Sequence, residues 1–165
     1  PREGPKPRRA SAAERDLLRV LIKDHSWIPR AAAEVPPERF ETAAFREVYE
    51  ALVRSPENAG SQIFLEELSP LAQRAWTWLD SVEKKYGTPD LDLMYVGACN
   101  ELEVRPLRRQ LAALNRHLRE RDRAMTAEDF DVLVKERARL NREIVTRFPE
   151  ELLKRSIRRG DVDAR

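Results

Sequence analysis

Apolar residues recur along most of this chain at steps of three and four, the spacing of helices with one buried face. Leu17, Leu18, Leu21 and Ile22 form the first stripe, with Arg15, Arg19 and Lys23 outside it. Ser11 and Glu14 ahead of them make an S-x-x-E start signal, which predicts a capping box. His25-Ser26-Trp27-Ile28-Pro29 ends that helix and leads into a short Ala-rich helical turn. Pro36 and Pro37 break the pattern and deliver Phe40 to the core. The next helix, from Thr42 to Val53, is expected to bury Phe45, Val48, Tyr49 and Leu52. A polar loop from Ser55 to Gly60 precedes a brief helix around Ile63 to Leu68. Ser69 and Pro70 then supply an N-cap and a first-turn proline. That helix runs through Trp76, Leu79 and Val82 to Tyr86, with Gly87 as its stop. Thr88-Pro89-Asp90 opens another, which holds Leu91, Met94, Tyr95, Ala98, Cys99 and Leu102.

From Leu107 to Phe148 the pattern is that of two helices folded back on each other. Leu107, Leu111, Leu114 and Leu118 line one; Phe130, Leu133, Leu140 and Ile144 line the other, with Arg137 breaking the row. Thr126 and Asp129 resemble a capping box at the start of the second helix. The short polar connection between them predicts an antiparallel helical hairpin. Pro106 would bend a continuous helix at a cost of about 3 kcal/mol. Because the apolar phase from Leu102 to Leu107 hardly slips, the expectation is one long helix kinked near Arg105; two separate helices are the alternative. Phe148-Pro149-Glu150 opens a short final helix with Leu152, Leu153 and Ile157, ended by Gly160. The predicted layout is a basic Pro-rich linker (1–10), a compact helical bundle (11–104), the hairpin (105–148), and a short helix with a fraying tail (149–165).

Composition agrees with an all-α fold. Of 165 residues 41% are hydrophobic, only five are Gly, and Ala, Leu, Arg and Glu abound. Charge is nearly balanced overall but not along the chain. Residues 1–104 carry 14 basic and 18 acidic side chains, whereas residues 105–165 carry 17 and 11. The excess of six positive charges in the second part allows an acidic partner there, or simply a solvated, Arg-rich helix pair. Cys99 is the single cysteine, so no internal disulfide and no cysteine-based zinc site can form; its apolar setting predicts a buried, inert thiol. No apolar run approaches the roughly 20 residues that span a bilayer, and no signal peptide is visible, so a cytoplasmic, reducing setting is expected. The start at Pro1 without Met predicts a fragment or processed piece.

Catalytic chemistry finds no candidates. Glu66-Glu67, Asp90/Asp92 and Glu150-Glu151 sit at helix starts or on polar faces, where carboxylates favour the helix dipole. His25 and His117 have no Cys, Asp or second His at ligand spacing, so neither a metal site nor a nucleophilic set is expected, and no cofactor. Trp76 and Trp78 lie two apart on one helix and cannot share a face. One is core; the other is a boundary residue or a contact, with Arg74 near enough to complete a base-stacking platform.

Taken in order, Glu14-x-x-Leu17-Leu18-x-x-Leu21-Ile22, Ile28-Pro29, Phe40, Phe45-Arg46-Glu47-Val48 and Leu140-Asn141-Arg142-Glu143-Ile144 resemble the C-terminal domain of bacterial DNA primase. The similarity covers nearly all of residues 11–148; each motif is degenerate, and their order and spacing carry it. In that family the domain is a helical bundle, a connecting helix and a terminal hairpin. It docks on the N-terminal domains of the hexameric replicative helicase, recruiting primase and stimulating the helicase. The primer-synthesising site lies elsewhere in the primase, so the resemblance implies a non-catalytic domain of a cytoplasmic replication protein. Arg142, Thr146 and Arg147 match the family's helicase-contacting final hairpin helix, and the tip from Arg121 to Phe130, with Arg123 and Met125, is a companion surface. Arg15, Leu18 and Arg74 are similar to the pocket that, in some members, holds the acidic tail of single-stranded DNA-binding protein. Unlike the family pattern, this chain continues past the hairpin, from Phe148 to Arg165.

Exposed apolar residues rimmed by arginine suit a protein interface, and Met125 and Phe130 either serve that purpose or close the hairpin's own end. Two rivals stand beside the primase reading. One is the N-terminal domain of the helicase itself, which also joins a helical bundle to a hairpin. The other is an unrelated helical nucleic-acid-binding module. Interleaving of the arginines with Glu120, Asp122, Glu136 and Glu143 argues against a continuous basic stripe and so against direct nucleic-acid binding.

Overall fold

The computed structural model describes residues 11–86, 90–120 and 125–151. They are all-α, with no strand among the described residues. The helices are α1 (Ala12–Lys23), α2 (Ile28–Glu34), α3 (Ala43–Arg54), α4 (Gln62–Glu66), α5 (Pro70–Tyr86), α6 (Leu91–Arg119) and α7 (Ala127–Arg147). Single 3-10 turns at His25–Trp27, Pro37–Arg39 and Pro56–Asn58 join the early ones. The chain divides after Leu102 into two compact units.

In the first unit, α1, α3 and α5 pack on one another. Most of the apolar stripe of α1 is buried: Leu17, Leu18 and Leu21 have no exposed surface, and Ile22 is partly buried against the same core. Phe40, Val48, Tyr49, Leu52, Phe64, Leu79, Tyr95 and Leu102 continue the same core. Tyr49 stacks on Phe40 with ring centroids 4.7 Å apart, and its hydroxyl lies 2.9 Å from the Ala31 carbonyl oxygen and 2.7 Å from that of Val35. The buried phenol thereby finds an acceptor at the end of α2, where the Ala31 carbonyl also accepts from the Val35 N–H at 2.8 Å. Gly60 adopts φ +77°, and a Cβ there would meet Trp76 Cζ2 at 3.2 Å. The loop needs glycine for its backbone and for the indole beside it.

Polar side chains fix how these helices meet, and here the structure corrects the local reading of Ser11 and Glu14. The Ser11 side chain accepts no capping bond. The Glu14 carboxylate is fully buried and accepts from the backbone N–H of Glu41 at 2.8 Å and of Thr42 at 3.1 Å. It therefore serves the entrance of α3. Glu47 of α3 plays the same part for α5. It accepts from the Ser69 N–H at 2.6 Å and the Ser69 hydroxyl at 2.7 Å, while Ser69 Oγ accepts from Ala72 N at 3.3 Å. Arg19 reaches from α1 to the buried Glu83 of α5, 3.2 Å away. Of the two tryptophans on α5, Trp76 is core and packs on Phe64; Trp78 stacks on Phe45 and is 47% exposed. Cys99 is half-buried against this core, not fully buried as its apolar setting suggested.

The second unit contains the end of α6, all of α7 and the turn that follows. Pro106 lies inside α6, which is unbroken from Leu91 to Arg119. Val104, Leu111, Leu140, Ile144 and Phe148 form a separate core, with Leu107 and Leu114 packed against it. Glu103 meets Arg147 at 2.8 Å, while Leu118 and Phe130 line one groove, so the two helices run antiparallel. Burial is concentrated near residues 104–114 and 140–148. Phe130, Leu133 and Leu118, expected on the internal face, are only half-buried. Arg108 makes a two-pronged contact with the buried Glu151, at 2.7 and 2.6 Å, which holds the chain beyond Phe148 against α6. Of the expected final helix only its opening, Glu150 and Glu151, is described; Leu152, Leu153, Ile157 and the linker 1–10 lie outside the described residues, as does Gly87.

Candidate functional site

The hairpin unit carries most of the residues that the sequence marked for binding. Its second helix begins at a complete capping box. Thr126 Oγ1 accepts from Asp129 N at 3.1 Å, and Asp129 Oδ2 accepts from Thr126 N at 3.3 Å. These bonds occupy amide donors at the helix start and set the register of everything on α7.

That register separates the marked residues. Arg142 and Thr146 stand one turn apart on one exposed face. Arg147 turns away from them: it pairs with Glu103 at 2.8 Å and Glu143 at 3.0 Å, and its guanidinium lies 5.3 Å from the Phe148 ring centroid. Half of Arg147 stays exposed, but its charge is engaged inside the unit. Met125 is half-buried beside the capping box. Phe130 is half-buried too, and lines a groove between α6 and α7. Arg121 and Arg123 lie outside the described residues.

The groove has a volume of about 370 Å³ and is lined by Asn115, Leu118, Arg119, Phe130, Val134 and Arg137. Phe130, Val134 and Arg137 share one face of α7, and Leu118 comes from the facing stripe of α6. Sequence reasoning placed Leu118 in the hairpin's interior, gave Phe130 either to that interior or to a binding surface at the tip, and passed over Val134 and Arg119. The one available signal was Arg137, a charged residue interrupting an apolar row.

Most other cations of α7 are neutralised by close carboxylates. Arg139 bonds Glu136 at 2.7 Å and Glu143 at 3.2 Å; the Glu136 contact, first among the causes, raises the guanidinium pKa and lowers that of Glu136. Lys135 is likewise held charged by Asp131, 2.7 Å away. Exposed pairs of this kind add little stability, but they remove positive potential from that side of the helix. Arg119, Arg137 and Arg142 have no carboxylate partner among the described residues; Arg119 Nε donates only to the Asn115 carbonyl, at 3.2 Å.

In the first unit the expected pocket is not assembled from the three residues marked for it. Leu18 has no exposed surface and belongs to the core, so it cannot touch a ligand. Arg15 bonds its neighbour Asp16 at 2.8 Å, and Arg74 is exposed on α5. A tighter cluster there joins Trp27, Arg30, Glu34 and Tyr95. Arg30 lies 4.8 Å from the Tyr95 ring centroid and 5.5 Å from that of Trp27, and bonds Glu34 at 3.0 Å. The Tyr95 hydroxyl donates to Glu34 at 2.7 Å. That bond first, then Arg30, lowers the Glu34 pKa; burial, with Glu34 second, raises that of Tyr95. Arg30, Glu34 and Tyr95 engage one another and Trp27 packs its ring against them, which makes this a structural clasp.

Among the described residues no group of His, Cys, Asp and Glu is gathered as for a metal ion, and no helix is long and apolar enough to cross a membrane. No protein-family model, curated protein or solved structure matches the chain. Fold and surface define an all-α protein of two helical units, the second bearing an arginine-rimmed groove and a separate exposed Arg142 face.

Proposed function

We propose that this chain is a non-catalytic docking domain of a bacterial primase, which binds the N-terminal domains of the hexameric replicative helicase. It brings primer synthesis to the replication fork and modulates the helicase, acting in the bacterial cytoplasm. The ordered series of motifs from Glu14 to Ile144 carries this reading. The hairpin chemistry supports it: cations with no carboxylate partner among the described residues stand beside half-buried apolar residues, as at the rim and centre of a protein interface. A nucleic-acid module would gain from a continuous basic face, whereas Lys135, Arg139 and Arg147 are each paired with carboxylates.

Titration of the full chain against the cognate hexameric helicase tests the proposal. A transient complex in roughly the micromolar to nanomolar range is expected. Arg142→Glu combined with Phe130→Ala weakens it while leaving helical circular dichroism intact. Absence of binding by the wild-type chain at moderate salt removes the proposal. Unchanged binding by the double variant moves the contact off both Phe130 and the Arg142 face.

A further inference from the structure

The groove between α6 and α7 combines a floor and a rim of different chemistry. Leu118, Phe130 and Val134 supply apolar surface that the unit's own core, centred on Leu111, Leu140 and Ile144, leaves half-exposed. At the rim, Arg119 and Arg137 present guanidinium groups from opposite helices, and neither has a carboxylate partner among the described residues. Elsewhere in the unit Arg116 and Arg142 are likewise without a carboxylate partner among the described residues, whereas other arginines are paired. Arg108, Arg139 and Arg147 each hold one or two carboxylates at 2.6 to 3.2 Å. Carboxylates are thus present on these helices, yet among the described residues none meets the two arginines beside the apolar floor.

We propose that this groove receives an apolar anchor side chain of a partner protein, with carboxylates on either side of that anchor taken by Arg119 and Arg137. The inference rests on the docking reading above and adds the chemistry of the contact: an acidic amphipathic segment. Charge complementarity selects the flanking groups, because a planar guanidinium binds a carboxylate through two parallel bonds. The floor selects the anchor, because a Leu- or Phe-sized side chain desolvates Phe130 and Val134 as it enters. A phosphate backbone would use the two arginines and leave that apolar floor without a role. The cavity of about 370 Å³ is large enough for such a side chain.

The test uses the full chain, isotopically labelled, and an acetylated hexapeptide with leucine and phenylalanine between two pairs of aspartates. Amide shifts confined to residues 115–119 and 130–137 are expected. Arg119→Glu with Arg137→Glu should weaken the peptide at least roughly tenfold. The same peptide carrying lysines for aspartates should then prefer the reversed variant, a rescue that unfolding cannot imitate. The assignment is overturned if millimolar acidic peptide leaves the groove unshifted, or if the lysine peptide binds the wild-type chain equally well. It is likewise overturned if a thymidine oligonucleotide, or a second copy of the chain, shifts the groove in place of the peptide. A helicase titration separates this idea from the reading beneath it. Equal binding of helicase to wild type and reversed variant overturns the groove assignment alone. Absence of helicase binding, with the peptide behaving as expected, removes the helicase as partner and leaves the groove assignment standing.

Discussion

Replacing Glu14 by Ala deletes a side chain that the first unit uses as an internal helix cap. The carboxylate is fully buried and accepts from the amides of Glu41 and Thr42 at 2.8 and 3.1 Å. Each bond to a charged acceptor contributes about 1.5–3 kcal/mol, and each amide left without a partner costs about 1–3 kcal/mol. These are two views of one loss and are not summed. Two amides, offset in part by the carboxylate's own desolvation cost, give about 3 kcal/mol for Glu14→Ala. Glu14→Gln keeps one carbonyl acceptor and should lose about half of that. Trp27, Trp76 and Trp78 all lie before Leu102, so tryptophan fluorescence reports unfolding of this unit alone. Urea denaturation followed by fluorescence should show the midpoint falling in the order wild type, Glu14→Gln, Glu14→Ala, with an unchanged slope. A loss under about 1 kcal/mol for Glu14→Ala would refute the view that this carboxylate holds α3 in place.

Two further outcomes follow from polar contacts. Because the folded-state pKa of Glu34 is depressed, its contribution is present above the unfolded-state value and is lost as pH falls through the lower folded-state value. Glu34→Gln should therefore flatten the acid limb of the urea midpoint against pH; an identical limb in the variant excludes Glu34 as a source of acid sensitivity. In the hairpin unit, a double-mutant cycle on Arg108→Met and Glu151→Leu, read by helical ellipticity in urea, should give a coupling of about 1–3 kcal/mol. A coupling near zero would mean that the two short bonds at 2.6 and 2.7 Å do not hold the chain beyond Phe148.

Helix content was legible in the sequence because burial repeats with the helical period. The stripe at Leu17, Leu18 and Leu21 and the pair Leu140 and Ile144 were placed inside by spacing alone, and they are buried. The box at Thr126 and Asp129 was legible for a related reason: both halves of the interaction lie within one turn of chain. The all-α class follows from such local rules.

The candidate site was less legible. A row of apolar positions says which side of a helix can face inward, not whether a partner stands opposite at that level. Phe130, Leu133 and Leu118 continue their rows, yet they are only half-buried where the hairpin's core thins, and two of them became groove walls. Charged residues are harder still, since their partners can come from any distance along the chain. Glu14 carried a local capping signal and was used 27 residues away, and Arg147 looked available for a partner but is engaged by Glu103, 44 residues earlier. Sequence periodicity by itself determined that the protein is helical and which stripes can be buried. Tertiary structure decided which carboxylate each arginine meets, because that depends on how separate helices come together.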